Sequence, residues 1–140
     1  MKKIAFLLVA LMMWSCSTDE VVENDFSFEI LPIREVTNMP SSVLYNEVYT
    51  IYYNYDLPTT CHSFNDLYYL SEGNVRTVAV ISRVLNETNS IICEPIGAEM
   101  VEGSFQLHVQ NNAGTYIFKF WQGVNENGID QYLVYEVPIE

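Results

Sequence analysis

Basic residues are scarce. Of 140 residues only six are Lys or Arg, against 18 Asp or Glu, and two of the six, Lys2 and Lys3, stand at the very start. After Cys16 the only cations are Arg34, Arg76, Arg83 and Lys119, four against 18 acids, a side-chain charge of about −14. Nucleic-acid binding needs cations to displace the counterions of phosphates, so nucleic acid is excluded as a partner. Docking on anionic lipid head groups is disfavoured on the same ground. Metal ligands are equally few. Only His62 and His108 are available beside three cysteines, and no ligand spacing of a metal site is present. Gly-rich phosphate loops, nucleophile elbows and metalloprotease helices are missing as well. The oxygen-rich stretch from Asn125 to Asp130 fails as a calcium loop. With Gly128 at the invariant glycine, Gly123 and Val134 fall where acidic ligands belong. No cofactor or metal is expected. Helical apolar periodicity, internal repeats and a second domain are absent after Cys16.

What is present begins at the N-terminus. Lys2 and Lys3 precede an unbroken apolar stretch, Ile4 to Trp14, which is too short to span a bilayer and has the layout of an export signal. Ser15 then places a small residue before Cys16. This segment resembles a bacterial lipoprotein signal, with Met13 and Trp14 departing from the usual Leu and small residue. The resemblance implies a signal peptide over residues 1–15 and lipidation of Cys16. An ordinary secretory signal cleaved nearby is the alternative. Ser17 to Asp25 is polar, acidic and aperiodic, which suits a solvated tether over residues 16–25. The Cys-Ser-Thr-Asp-Glu start is similar to surface-exported lipoproteins of Bacteroidota. That similarity implies an outer-membrane location facing outward and attachment to the membrane through the lipid, and says little about mechanism; an envelope protein or a glycan is the expected kind of partner.

Residues 26–140 alternate with period two, the mark of half-buried strands. Strands are expected from Phe26 to about Pro32, from Glu47 to Tyr55, and from Phe64 to Leu70. Further strands are expected over Val75 to Leu85, as a central strand, then Ser90 to Cys93, Phe105 to Val109, Tyr116 to Trp121 and Tyr132 to Ile139. Turn chemistry separates them, with Asn127-Gly128 a strong hairpin signal. Seven or eight short strands fit an antiparallel β-sandwich. Asn112-Ala113-Gly114-Thr115-Tyr116-Ile117-Phe118 is similar to the tyrosine corner of immunoglobulin domains. The expected fold is therefore all-β, an immunoglobulin-like sandwich. Phe118 stands where that family has a cysteine, so the family's inter-sheet disulfide is not expected.

Once Cys16 is set aside, Cys61 and Cys93 remain, an even pair. In an exported chain a disulfide is their default, closing a loop of about 33 residues and contributing about 3–4 kcal/mol in the chain-entropy model. A metal pair or a catalytic thiol are the alternatives. Glu99 and Glu102 are close in sequence, but nothing singles them out as a catalytic pair, and no constellation for catalysis is evident. Seven of the ten tyrosines crowd into residues 45–69. Tyr52 is out of phase with Tyr49, Tyr53 and Tyr55, and Trp121 is out of phase with Phe118 and Phe120. Tyr52, Tyr69 and Trp121 are the candidates for an exposed aromatic platform that stacks on sugar or protein. The expected function is non-enzymatic binding or envelope assembly. The alternatives are a glycan-binding accessory to saccharide uptake, or an inhibitor presenting the loop from Leu57 to Phe64.

Overall fold

The computed structural model describes residues 25–97 and 100–140. The expected signal segment, Cys16 and the expected tether up to residue 24 lie outside the described residues, as does Glu99. Eight strands form two sheets, and no helix occurs among the described residues. The larger sheet is built on β5 (Val75–Leu85). Strand β4 (His62–Glu72) pairs antiparallel with it from Glu72↔Val75 to His62↔Val84. The opposite edge of β5 is divided. Strand β1 (Phe26–Leu31) takes Val80 to Leu85, and β7 (Thr115–Val124) takes Val75 to Val78. Strand β8 (Asp130–Pro138) lies beyond β7. The smaller sheet runs β2 (Ile33–Val36), β3 (Val48–Asp56), β6 (Met100–His108).

Two expectations are corrected and one strand is added. The pairing is not antiparallel throughout, because β7 runs parallel to β5. The chain reaches β7 from β6 in the other sheet, and such a crossing does not impose the reversed sense that a hairpin does. The first strand ends at Leu31, next to Pro32 as expected, and a short strand that was not expected, β2, follows it. The chain changes sheets there, and both Leu31 and Ile33 are buried. Ser90 to Cys93 forms no strand, only a bridge between Thr88 and Ile91. The Thr88 hydroxyl accepts the N–H groups of Ser90 and Ile91 at 3.2 and 3.1 Å, so local side-chain bonds replace a ladder.

Alternation is otherwise realised as the residue pattern dictates. Ile51, Tyr53 and Tyr55 of β3 face inward and meet Val78 and Val80 of β5, with Tyr116, Phe118 and Phe120 of β7. Phe105 bridges the layers, with ring centroids 6.4 Å from both Tyr53 and Phe120. Tyr53 lies across its cross-strand partner Gly103, where an added Cβ would fall 2.5 Å from the phenol ring. Only glycine allows that approach, because Tyr53 is 1% exposed and has nowhere to move. Gly114 adopts φ +97°, which turns the chain into β7, and the hydroxyl of buried Tyr116 accepts the Asn111 N–H at 3.2 Å.

Cys61 and Cys93 are joined in a disulfide, with Cα atoms 5.2 Å apart. Because the 90–93 strand is missing, the bond ties loop to loop rather than loop to sheet. Thr60 N–H to Glu94 and Ile96 N–H to Pro58 reinforce the same junction at 2.9 and 3.2 Å.

Burial has a pH consequence at Tyr53. Its phenol is pushed up to about 12 by desolvation, with the neighbouring Tyr55 adding to the effect. The folded chain thus keeps a proton that the unfolded chain loses above its ordinary value of 10. Stability from this group is complete below that value and declines as pH rises toward 12, by on the order of 2–3 kcal/mol. Urea unfolding of Tyr53→Phe is expected to show a shallower alkaline loss than the natural chain. Equal slopes would contradict the assignment.

Candidate functional site: a cleft on the outer face of the larger sheet

The divided edge of β5 shapes its outer face. Val80 is the last β5 residue paired to β1, and Val78 the last paired to β7, which leaves Ala79 at the fork. Ala79 points away from the core yet is 3% exposed, because larger side chains stand around it. Its small methyl floors a cleft of about 440 Å³. Tyr68, the β4 partner of Ala79, forms one wall. Trp121 and its β8 partner Tyr132 form the other. Leu70 and Ile30 extend the apolar rim.

Polar groups are fixed among these rings. The Trp121 indole N–H donates to Asp130 Oδ1 at 2.8 Å, which holds the ring plane. Lys119 places its ammonium 4.8 Å from the Tyr132 ring centre. The Tyr132 phenol is held above its ordinary range by desolvation first, then by the negative charge of Asp130. The cleft therefore offers aromatic faces, two carboxylates (Glu72 and Asp130) and one ammonium within a single concavity. Such a set suits a polyhydroxylated ring, whose C–H face stacks on aromatic side chains while its hydroxyls bond to charged groups.

The three expected platform residues do not share a face. Trp121 lines the cleft. Tyr52 is 39% exposed on the outer face of the smaller sheet, and its N–H is bound by Asn38 Oδ1 at 2.7 Å. Tyr69 turns inward at the open edge and packs on Phe105, with centroids 5.6 Å apart. The residues that do join Trp121, namely Tyr68, Tyr132, Lys119 and Asp130, were not singled out in the sequence. Their signal was partly present, since Tyr68 and Tyr69 necessarily face opposite ways and Trp121 is out of phase with its strand. Which strand lies opposite Trp121 depends on register, which a single sequence does not reveal.

A second polar cluster sits near the disulfide. Thr59 Oγ1 lies 2.8 Å from His62 Nδ1, and His62 Nε2 lies 2.8 Å from Glu29 Oε2. The order is that of a nucleophile, a base and an acid. The three backbone N–H groups that follow Thr59 are already bonded. Thr60 N–H is bound by Glu94 O, Cys61 N–H by Thr59 Oγ1 and His62 N–H by Thr59 O. The cluster instead fastens the disulfide loop to β1. Among the described residues no group of three His, Cys, Asp or Glu side chains gathers to hold a metal.

Comparison with protein-family models, with curated proteins and with solved structures gives no match for this chain.

Asp130→Asn is expected to lower the Tyr132 phenol toward its ordinary value, since one raising charge is removed while an amide oxygen still accepts the Trp121 N–H. Spectrophotometric titration of tyrosine measures this. An unchanged or higher Tyr132 value would show that Asp130 does not face the phenol.

Proposed function

We propose that the chain is an exported, lipid-anchored binding module, an immunoglobulin-like sandwich without catalytic activity that captures a saccharide on the outer face of its larger sheet. The observation that carries this reading is the cleft of Tyr68, Trp121 and Tyr132 floored by Ala79. Its aromatic walls and its Asp130 and Lys119 supply the stacking and hydrogen bonding that sugar recognition requires. The Cys61–Cys93 disulfide supports an oxidising compartment, as an exported protein has. The Tyr116 hydroxyl bond to the Asn111 N–H supports the immunoglobulin-like type. The signal-like start supports anchoring at Cys16, in an outer membrane, with the acidic tether holding the sandwich away from the bilayer.

A second reading is docking of an envelope protein on the same face. Phe28, Ile30 and Val134 are 59%, 49% and 49% exposed there, an apolar margin larger than a sugar needs. The Leu57 to Phe64 loop favours an inhibitor less, because Cys61 and its backbone bonds to residues 94–96 hold it flat against the neighbouring loop.

Two results are expected together. Whole producing cells treated with a membrane-impermeant label should modify the natural protein, and Cys16→Ala should release it from the membrane. On a glycan array the protein should bind a saccharide subset, and Trp121→Ala should weaken that binding by about tenfold or more. Retention of Cys16→Ala on the membrane would overturn the anchor. Failure to bind any glycan, with capture of one envelope protein instead, would replace the saccharide by the protein partner.

A further inference from the structure

A second cleft opens between the free edges of β4 and β6, away from the outer face. It holds about 390 Å³, and Arg76 lies within it. Arg76 is 5% exposed, in a protein whose other charged side chains are mostly at the surface. Its Nη1 donates to Gly73 O and Val75 O at 2.7 and 2.9 Å. Its guanidinium carbon lies 4.7 Å from the centre of the Tyr116 ring, and Tyr69 lines the same cleft. These contacts use Nη1 and one face of the plane. They do not neutralise the charge.

Among the described residues no carboxylate lies within ion-pair distance of Arg76, although the chain carries three times as many acids as bases. The cleft lining follows the same rule. Tyr69, Ser71, Gln106, His108 and Gln110 line the cleft with Arg76 and bring hydrogen-bonding groups to it, and no acidic residue is among the lining. An unpaired buried cation is unfavourable for the fold, whereas a partner anion bound in low dielectric gains a charge-assisted, forked pair of hydrogen bonds. We propose that this cleft is a carboxylate-binding site with Arg76 as its anion receptor and Gln106 and Gln110 as flanking donors. A uronic acid and the C-terminus of a peptide present the same group. The site is separate from the outer cleft, as Tyr69 and Tyr68 on successive positions of β4 face the two different clefts.

The chain has three arginines, Arg34, Arg76 and Arg83, so their side-chain Nε–Hε signals form a spectrum simple enough to assign. The full chain in detergent micelles is titrated with sodium acetate, with sodium chloride at equal concentration as control. The Arg76 signal is expected to move saturably with acetate, at least about tenfold more tightly than with chloride, while Arg34 and Arg83 stay nearly fixed. Ser71→Glu sets a carboxylate directly opposite Arg76 in the β4–β5 register and should abolish the acetate response while the fold is retained. D-glucuronate and N-acetylglycine then distinguish the sources. Tighter binding of the first identifies a uronate, and tighter binding of the second a peptide terminus. Movement of all three arginines alike, an equal response to chloride, or an unchanged acetate response in Ser71→Glu would overturn the proposal as adventitious anion binding only.

Discussion

Three strands hydrogen-bond to β5, which has only two edges. Strand β4 occupies one edge along nearly its whole length, so β1 and β7 must share the other. Each departs where the other begins. Strand β1 leaves after Leu31 and passes through Pro32 into the smaller sheet, which proline permits because it has no N–H to contribute to a ladder. Strand β7 leaves after Phe120, and Trp121 turns to pair with β8 alone. The fork between them falls at Ala79. A concavity on a sheet face needs either a missing strand or a small residue, and here both coincide. The outer cleft, its aromatic walls and the switch of sheets at Pro32 are consequences of one divided edge.

The two ends of the sandwich are held by different means. At one end the disulfide, the Thr59–His62–Glu29 bonds and the 58–96 backbone pairs fasten irregular loops that have few apolar residues to bury. At the other end Arg76, Tyr116 and Asn111 fasten the β4–β5 turn to the corner before β7. The first arrangement suits an oxidising compartment, where a covalent bond replaces core. The second leaves a positive charge with no ion pair among the described residues, in a protein that is otherwise strongly acidic.

Much of the fold was legible because alternation is local. The inward set Ile51, Tyr53 and Tyr55, the opposed phase of Tyr52, and the outward turn of Trp121 all follow from period two. The Cys61–Cys93 bond was legible from the even pair that remains once Cys16 is set aside. What escaped was set by contacts distant in sequence. Thr88 diverts the backbone at 88–91 by a local bond that apolar residues such as Ile91 and Ile92 disguise as a strand. Pro32 ends β1 as it reads, but the short strand beyond it, β2, belongs to the other sheet and was not expected. The partners of Trp121, and the absence of any acid from the lining of the Arg76 cleft, depend on register and on the packing of two sheets.

Trp121 provides the most direct measurement. Trp14 is the only other tryptophan, so in Trp14→Phe the emission comes from the outer cleft alone. Titration with neutral oligosaccharides should give a saturable change for at least one of them. In Ala79→Leu, which fills the floor at the fork, that change should vanish while thermal unfolding stays cooperative. If no saccharide alters Trp121 emission, or if the change persists with the floor filled, the divided edge of β5 does not form the binding site.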